Sequence, residues 1–469
     1  MAKGSEFVAA MKVAAQLREA GYEAYLAGGC VRDLLLGREP KDFDVATSAR
    51  PDAVLGLFQK TFAVGAKFGV VLVVEGEDEN RIVTEVATFR SDGAYADGRR
   101  PDVVRYTDTA EEDVQRRDFT INGLMLDPFK LFGTRDTETQ GAAGRKTKQE
   151  KVRAATLDFV GGLADLEAGV VRAIGNAAQR FEEDQLRLLR AVRFAARFGF
   201  EIEPATHGAM QAAAPKIATI SRERIRDELT RMLTEGHARR AFELLDRTGL
   251  LIEVLPEIAA MKGVEQPPQF HPEGDVWTHT LMLLEQLEAG CPLTLAWGAL
   301  LHDVGKPPTY TKTDRVRFNG HVEVGVAMGA EICRRFRFSN DEAQMILALI
   351  QNHMRFADAP KMKTSTLKRF FRLEHFEQHL ALHKMDCMAA SGNLDNWNFV
   401  REHFSSMTEE VVKPKLLLTG RELIAAGYKP GAAFKKMLRA AEDAQLEGTV
   451  VTAEEALALV RAQFGEAEK

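Results

Sequence analysis

Cysteine is scarce in this chain of 469 residues. Four cysteines are present, and no two of them form a Cys-x-x-Cys pair: Cys30, Cys291, Cys333 and Cys387. This wide spacing argues against a disulfide scaffold and against a thiolate zinc site. Free thiols fit a reducing compartment, so we expect a cytoplasmic protein.

Long apolar runs and an excess of positive charge are also missing. The longest nearly apolar run, Leu293–Leu301, is far too short to span a bilayer. The first residues, Met-Ala-Lys-Gly-Ser-Glu, lack the apolar core of a signal peptide. We therefore expect no membrane partner. The net charge of −6 excludes a histone-like polybasic protein, but a local basic patch for nucleic acid stays open.

Apolar periodicity divides the chain into an α/β part and a helical part. A spacing of three and four predicts a helix over 6–20. Short apolar runs predict strands over the ranges 24–27, 43–46, 70–74 and 81–87. Helix formers dominate from about residue 165, and helical spacing runs through 180–200, 224–233 and 239–251.

Residues 131–156 break this pattern, because Gly, Thr, Gln and Lys dominate there. Arg145–Arg153 holds five basic residues and one acid. We interpret the segment as a flexible, solvated insertion. The alternative is a basic loop that contacts RNA.

A glycine pair marks the first candidate binding site. Gly28 and Gly29 follow the first predicted strand, and Arg32 comes three residues later. A double glycine lets backbone N–H groups approach a phosphate closely. Arg32 can add a charge-assisted contact to the same phosphate.

Two acids alternate with an aromatic residue shortly afterwards, in Asp42-Phe43-Asp44. On a strand this spacing places both carboxylates on one face and the phenyl ring in the core. Such carboxylates repel each other unless cations lie between them, and oxygen ligands select Mg²⁺, the usual partner of a triphosphate. Glu85, on a later strand, is the candidate third acid; a solvent-facing strand residue is the alternative.

Three segments, in order, resemble motifs of the class II tRNA nucleotidyltransferase and bacterial poly(A) polymerase family. Tyr25–Thr47 (YLAGGCVRDLLLGREPKDFDVAT) resembles the head motif, and Arg116–Asn122 (RRDFTIN) resembles the ribose-recognition motif. Arg180–Arg187 (RFEEDQLR) resembles the nucleotide-selecting motif, with Gln185 where the family often has proline. The resemblance implies a polymerase-β-like α/β head followed by an all-α neck, with Mg²⁺ held by Asp42 and Asp44.

The second motif offers groups that suit a ribose. Asp118 can accept hydrogen bonds from sugar hydroxyls, including the 2′-OH. Asn122 and Arg117 can donate to hydroxyl or phosphate oxygens. The alternative is that Asp118 only caps a helix that starts at Phe119.

The third motif suits a base edge. Cytosine and adenine both present an amino donor beside a ring-nitrogen acceptor, which a carboxylate and a guanidinium can pair together. Asp184 and Arg187, one helical turn apart, are therefore the candidate base readers for CTP and ATP, a role that the resemblance also implies. Arg190 and Arg193 continue the motif as candidate nucleotide-binding residues, and we expect Arg193 and Arg197 to face outward as a stripe.

Nine of the eleven histidines lie after residue 270. His302-Asp303 ends an apolar helical run, and around it in the sequence stand His279, His321, His353 and Asp386. This set resembles the HD metal-dependent phosphohydrolase superfamily, in which His321 and His353 match a second metal position. Imidazole and carboxylate ligands suit Mn²⁺, Fe²⁺, Ni²⁺ or Zn²⁺ better than Mg²⁺. We expect His375, His379 and His383 to form an exposed or partner-facing stripe.

We therefore predict an α+β chain of four parts: a nucleotidyltransferase head (1–160), a helical neck (161–260), an HD domain (261–400) and a helical tail (401–469). The expected activity is template-independent addition of CCA to tRNA 3′ ends from CTP and ATP, with a fused phosphohydrolase. CC-only addition, A-only addition and poly(A) tailing are alternatives within the family. An HD phosphohydrolase as the main activity is another. Arg90–Val104 resembles the family's flexible loop, and its full length favours CCA addition.

Overall fold

The computed structural model describes residues 4–65, 69–77, 81–92, 104–131, 147–269 and 271–466. They fall into two compact units. The first consists of Met1–Met232 with Arg240–Pro256, and the second of Leu233–Arg239 with Glu257–Lys469. The first unit mixes strands and helices and the second is helical, so the predicted α+β class is confirmed.

The first unit is built on one mixed sheet. Its elements, in chain order, are α1 (Ser5–Glu19), β1 (Ala24–Ala27), α2 (Gly29–Leu35), β2 (Asp44–Thr47), α3 (Pro51–Leu57), β3 (Thr61–Gly65), β4 (Val70–Glu75), β5 (Ile82–Thr88), β6 (Arg90–Asp92), β7 (Val104–Tyr106), α4 (Ala110–Gln115), a 3₁₀ turn (Thr120–Asn122), β8 (Met125–Leu126), α5 (Lys148–Ala155), β9 (Thr156–Leu157), α6 (Gly162–Ala168), β10 (Val170–Val171), α7 (Ala177–Glu183), α8 (Leu186–Phe198), β11 (Glu201–Ile202) and α9 (Pro204–Ala213).

Four α-helices follow in the part of the chain where the two units alternate along the sequence: α10 (Arg222–Thr234), α11 (Ala238–Arg247), α12 (Leu250–Val254) and α13 (Pro256–Ala259). The second unit continues with α14 (Val276–Glu285), α15 (Leu293–Leu301), α16 (Lys306–Thr309), β12 (Thr311–Lys312), β13 (Val316–Arg317), α17 (His321–Arg335), α18 (Asn340–Asn352), a 3₁₀ helix (His353–Lys361), α19 (Thr364–Phe371), α20 (Phe376–Ala389), α21 (Asp395–Ser406), α22 (Glu409–Val412), α23 (Gly420–Ala425), α24 (Ala432–Glu447) and α25 (Ala453–Phe464).

The large sheet has the strand order β3-β4-β5-β2-β1-β8-β9. β2 and β5 pair in parallel, whereas every other neighbouring pair in this sheet is antiparallel. Helix α1 buries its apolar face, including Phe7, Val13 and Leu17, which explains why its periodicity was readable. The predicted strands are all present, although the strand expected over 43–46 begins at Asp44.

The flexible insertion expected over 131–156 is wrong at its C-terminal end. Residues 147–155 form α5, which begins with a capping box in which Thr147 and Glu150 satisfy each other's backbone N–H groups. Val152 and Ala155 are buried, and β9 then joins the sheet beside β8. The Thr-x-x-Glu spacing of this cap and the two buried apolar residues are the sequence signals of the helix. Residues 132–146 lie outside the described residues.

The helix expected over 180–200 is interrupted. α7 ends at Glu183, Asp184 adopts an extended conformation with φ −146° and ψ 105°, and α8 begins at Leu186. Asp184 therefore stands between two helices and not on one helical face. Its Oδ1 accepts a hydrogen bond from the backbone N–H of Leu186 at 3.0 Å, which competes with a continuous helix.

In the second unit, apolar helices cover two cores. One contains aromatic residues such as Phe356, Phe370 and Phe376, and the other lies within α23–α25. Each helix in the described ranges is too short or too polar to cross a membrane.

Candidate active sites

The first candidate site is an acidic edge of the large sheet, formed by Asp42, Asp44 and Glu85. Val45 on β2 pairs with Val86 on β5, so Asp44 and Glu85, which precede them, lie side by side on neighbouring parallel strands. Neighbouring strands are separated by about 4.8 Å. Phe43 is 6% exposed and packs on Phe7 with ring centroids 5.2 Å apart. The expected alternation is therefore present: Phe43 is buried in the core between the two acids, Asp42 and Asp44.

The charges at this edge repel one another. Partial burial raises the pKa of Asp44 to about 7, and the carboxylates of Glu85 and Asp42 add to the shift. The pKa of Glu85 is raised by partial burial and by Asp42. A divalent cation would relieve the repulsion among these three carboxylates, two of which, Asp44 and Glu85, have raised pKa values, so the residues fit a cation.

The glycine pair lies at the start of α2, next to this edge. Gly28 has a φ of +74°, and its N–H donates to the carbonyl of Leu124. A Cβ at position 28 would lie 3.2 Å from Nη1 of Arg117. Glycine is needed at position 28 because of the positive φ and the closeness of Arg117. The same contact brings the glycine turn next to the second motif.

A chain of hydrogen bonds links the ribose candidates. Arg32, 4% exposed, donates to Oδ1 of Asn122 at 2.5 Å and is also paired with Asp33. Asn122 donates to Oδ1 of Asp118 at 3.1 Å, and Arg190 donates twice to Oδ2 of Asp118 at 2.6 and 2.8 Å. The structure thus uses Arg32 to hold Asn122.

Asp118 is ionised in this network. Burial alone would raise its pKa, but the charge and hydrogen bonds of Arg190, with Asn122 and the N–H of Phe119, lower the pKa to about 2. A permanently charged acceptor suits sugar hydroxyls. The helix-cap alternative is wrong: the 3₁₀ turn begins at Thr120 without a side-chain cap, and Oδ1 of Asp118 accepts instead from the N–H of the adjacent Phe119 at 2.8 Å.

The base-reading candidates are held by other partners. Oδ2 of Asp184 accepts from Arg224 at 3.0 Å. Arg187, 9% exposed, donates to Glu183 at 2.7 Å and to the backbone carbonyls of Arg180 and Arg116 at 3.0 Å. The bond to the Arg116 carbonyl ties the third motif to the second.

The outward stripe expected for Arg193 and Arg197 is wrong. Arg193 is 5% exposed and donates to Glu228 at 2.7 Å, so it joins α8 to α10 inside the first unit. Arg197 is half-buried, with Nη2 3.9 Å from Asp33. The helix is buried on more than one side, which spacing alone could not reveal.

The second candidate site is a histidine cavity in the second unit, formed by His279, His302, Asp303, His321, His353 and Asp386. Nε2 of His279 lies 3.0 Å from Asp386, and Nε2 of His302 lies 3.1 Å from Asp303. Nε2 of His321 and of His353 lie 3.9 and 3.8 Å from Oδ1 of Asp303. The ligand atoms of these six residues form two groups, each within 4.8 Å: His279, His302 and Asp386, and Asp303, His321 and His353. His279 also belongs to a third such group, with His271 and Glu273.

The four imidazoles are oriented for ligation. Nδ1 of each contacts an acceptor behind the ring, which is a backbone carbonyl for His302, His321 and His353 and the carboxylate of Glu273 for His279. Each Nε2 is buried without a hydrogen-bond partner among the described residues, as is Oδ1 of Asp303. Five converging, unsatisfied atoms of these types fit a divalent metal.

The negative charge of Asp303 is balanced by a neighbouring lysine in the cavity. Nζ of Lys306 lies 2.7 Å from Oδ2 of Asp303. Although burial opposes it, His302 and Lys306 hold the pKa of Asp303 well below its usual range. Gly305 allows the chain to fit, because a Cβ there would lie 2.6 Å from the backbone N of Gly325 in α17.

The exposed stripe expected for the remaining histidines is wrong for two of them. His375 is exposed, but His379 is 2% and His383 is 7% exposed. His383 stacks on Phe356 with ring centroids 4.3 Å apart. Burial lowers the pKa of both to about 4, so they are neutral core residues.

Several supporting residues were missed at the level of sequence. Glu273, Lys306 and Arg224 each contact a candidate residue directly. Lys306 follows Asp303 by three positions, a spacing that predicts contact on a helical turn. Arg224 and Glu273 carry no comparable local signal.

Family comparisons agree with this geometry. The model described as "Poly A polymerase head domain" matches residues 24–172. The model described as "Probable RNA and SrmB- binding site of polymerase A" matches 199–262, and the HD domain matches 275–384.

Curated relatives match somewhat more than half of the chain. The CCA-adding enzyme of Lactobacillus johnsonii is 39% identical over 284 residues, which are 60% of this chain and 64% of that protein. The CCA-adding enzyme of Geobacillus stearothermophilus is 41% identical over 244 residues, 52% of this chain and 54% of that one. The match thus spans less than two thirds of these relatives.

A solved structure is similar along nearly the whole chain. The CCA-adding enzyme of Bacillus stearothermophilus, crystallised in complex with CTP, superposes with a TM-score of 0.70 at 27% identity and covers 98% of both chains. Three family models thus match the chain in order, a poly(A) polymerase head, an RNA-binding segment and a C-terminal HD domain, and the chain is similar to CCA-adding enzymes.

Proposed function

We propose that this chain is a CCA-adding enzyme, which extends tRNA 3′ ends from CTP and ATP without a nucleic-acid template. The main support for this proposal is the acidic edge. In the register of β2 and β5, Asp44 lies beside Glu85, and Asp42 stands two residues before Asp44 in the chain. The names of the relatives support this choice, as does the CTP in the complex of the Bacillus protein. The predicted cytoplasmic location fits a tRNA substrate.

Asp42 and Asp44, with Glu85 beside them, would hold Mg²⁺ in the head. Bound there, Mg²⁺ would neutralise the triphosphate and favour in-line attack by the primer 3′-OH on the α-phosphorus. The 3′ oxygen forms the new phosphodiester bond, the bond to the β-phosphate oxygen breaks, and pyrophosphate leaves. Gly28 and Gly29 would bring backbone N–H groups to the phosphates, with Arg117 beside them.

Sugar and base would be read by the two hydrogen-bonded groups next to this edge. Asp118, fixed by Arg190 and Asn122, is an ionised acceptor for ribose hydroxyls. Asp184 and Arg187 would exchange their present partners for the amino group and ring nitrogen of cytosine or adenine. Uracil and guanine present the opposite order and would leave both groups mispaired, at about 1–3 kcal/mol for each buried group.

The test uses tRNA that lacks its terminal nucleotides. With Mg²⁺ present, the 3′ ends are sequenced after incubation with CTP alone, ATP alone and both. We expect CC from CTP, no extension from ATP alone and CCA from the mixture. CC-only, A-only or long A tails would instead select one of the three alternatives within the family. No incorporation would refute the proposal.

Residues 93–103 of the predicted flexible loop lie outside the described residues.

A second activity is favoured by the histidine cavity. We propose that it hydrolyses a phosphoester on an RNA end, such as a 2′,3′-cyclic or terminal phosphate. His279, His302, Asp303, His321, His353 and Asp386 would hold one or two ions such as Mn²⁺, Fe²⁺, Ni²⁺ or Zn²⁺. An ion bound there would supply an activated water for attack on phosphorus. The cavity measures about 1740 Å³, which is ample for a terminal nucleotide.

Opening of the 2′,3′-cyclic phosphate of an oligonucleotide to a 2′- or 3′-monophosphate, measured with each metal, tests this second activity. Ring opening that disappears in Asp303→Asn while CCA addition continues would support it. If Asp42→Ala left the biological activity intact, the phosphohydrolase would be the main function instead.

A further inference from the structure

His279 differs from the other three cavity histidines in what lies behind its ring. Nδ1 of His302, His321 and His353 each contacts the carbonyl oxygen of the residue three positions earlier, at 2.7–3.0 Å. Nδ1 of His279 instead lies 2.8 Å from Oε1 of Glu273. A side-chain carboxylate therefore orients one imidazole, whereas peptide carbonyls orient the rest.

Glu273 is built into the loop that precedes α14. Its side chain is 3% exposed, and Oε1 is shared with Nδ1 of His271 at 2.8 Å. The next carboxylate, Asp275, caps α14 by accepting from the N–H of Thr278 at 2.8 Å. The cap fixes the loop relative to the first turn of the helix, so Glu273 can reach His279 six residues later.

We infer that Glu273 is a positioning residue for one of two metal ions, the one held by His279, His302 and Asp386. By accepting the Nδ1–H, the carboxylate fixes the tautomer in which Nε2 carries the lone pair, and it makes the imidazole a stronger donor. This inference rests on the proposed metal role of the histidine cavity. It does not depend on nucleotidyl transfer.

The two ligand groups are therefore unequal. The group of Asp303, His321 and His353 has only neutral carbonyl oxygens behind its imidazoles. Neutralising Glu273 should weaken the ion in the first group and leave the ion in the second group in place. Loss of such an outer carboxylate typically costs 10–100-fold in metal affinity.

The experiment compares the full chain with Glu273→Gln, which keeps the shape and an acceptor oxygen but removes the charge. Metal-free protein is titrated with Mn²⁺ by calorimetry, and bound metal is counted by mass spectrometry after dialysis. We expect two binding events in the wild type. In Glu273→Gln one event should weaken 10–100-fold and the other should stay within twofold. Co²⁺ absorption bands should change in the same way, because they report ligand geometry directly.

Glu265→Gln is the matched control. Glu265 lines the cavity and pairs with Lys312, and among the described residues it makes no hydrogen bond or ion pair with a histidine. The same substitution there should leave both binding events unchanged. CCA addition by Glu273→Gln should equal that of the wild type, which shows that the first unit is folded.

Two outcomes would overturn the inference separately. Wild-type affinity for both ions in Glu273→Gln, or equal loss of both, would show that Glu273 does not position one ion. No Mn²⁺ or Co²⁺ binding in the wild type would refute the metal role of the cavity and, with it, this inference. Neither result would touch the proposed CCA addition.

Discussion

In the first unit, three acids crowd at the edge of a sheet, whereas in the second unit the buried carboxylate of Asp303 lies beside the ammonium group of Lys306 and the imidazole of His302. Partial burial and the charges of Glu85 and Asp42 raise the pKa of Asp44 to about 7. His302 and Lys306 hold the pKa of Asp303 well below its usual range, even though burial opposes this. The two candidate metal sites thus have opposite electrostatics.

This difference indicates two ways of using a metal. The carboxylates of the acidic edge repel one another when no cation is bound. An ion that arrives with a triphosphate would remove this electrostatic repulsion. The histidine cavity is organised in advance, because every imidazole has an acceptor behind it. We expect the head to take Mg²⁺ with each nucleotide and the cavity to retain its ion between turnovers.

The largest expected effect is a double dissociation between the units. Asp44→Asn should lower CCA addition about a thousandfold, since a lost metal ligand costs several kcal/mol and each 1.4 kcal/mol is tenfold. Asp303→Asn should lower hydrolysis of the cyclic phosphate by a similar factor. Each variant should keep the activity of the other unit, measured with truncated tRNA and with a cyclic-phosphate oligonucleotide.

Asp52→Asn, an exposed acid in α3, serves as the control for Asp44→Asn and should keep both activities. If either Asp44→Asn or Asp303→Asn removed both activities, the two sites would not be independent, and the comparison would fail.

The next effect concerns base selection, which only the first unit should perform. Asp184→Ala should reduce the preference for CTP and ATP over UTP and GTP by about 10–100-fold, because mispaired buried groups cost about 1–3 kcal/mol each. The measurement is kcat/KM for each nucleotide. Glu182→Ala, two residues away and paired with Lys216 at the surface, is the control. Unchanged preference in Asp184→Ala would exclude this residue as a base reader.

Residues close together in a regular pattern were predictable from sequence. Alternation around Phe43 placed Asp42 and Asp44, and the apolar run before His302 placed the end of α15. Patterns of this kind depend on the geometry of one strand or one helix. The register that adds Glu85 needed the pairing of β2 with β5, which no local pattern fixes.

Side chains whose partners lie far away in sequence were misjudged. Arg193 was expected at the surface because a charge is normally solvated, but Glu228, 35 positions later, pairs with it in the interior. His375, His379 and His383 were expected on one helical face, but His375 precedes α20 with left-handed backbone and is exposed, whereas His379 and His383 lie on the helix and are buried. Burial is decided by what packs against a helix, and periodicity reports only that helix itself.

A smaller effect follows from those buried histidines. Burial lowers the pKa of His379 and His383 to about 4, from about 6.5 in the unfolded chain. Between these values the unfolded chain takes up protons and the folded unit does not. The second unit should therefore lose stability as pH falls from 6.5 to 4, by about 1.4 kcal/mol per pH unit for each proton.

Tryptophan fluorescence can follow this loss, because all three tryptophans, Trp277, Trp297 and Trp397, lie in the second unit. His379→Leu removes one titrating group from an apolar cluster and should flatten the dependence of the urea midpoint on pH. A dependence as steep as that of the wild type would show that His379 is not buried and neutral.

The smallest effect has the opposite sign and belongs to the acidic edge. The pKa of Asp44 is raised to about 7 in the folded unit, against about 3.8 unfolded, so the folded state holds a proton that the unfolded state has lost. In EDTA the first unit should lose stability as pH rises from 4 to 7 and level off above 7. The change should stay below about 1 kcal/mol, because solvent screens a partly exposed group.

Urea unfolding read by hydrogen exchange in the β1–β2 peptide would isolate this unit. Asp44→Asn should remove this contribution and keep the stability that the wild type has at low pH. Mg²⁺ should also reduce the pH dependence of the stability, because the ion competes with the proton for the same carboxylate oxygens. If Asp44→Asn left the pH dependence unchanged, the acids would not be crowded in solution. The acidic edge would then need no ion to relieve it, and the contrast with the histidine cavity would rest on ligand type alone.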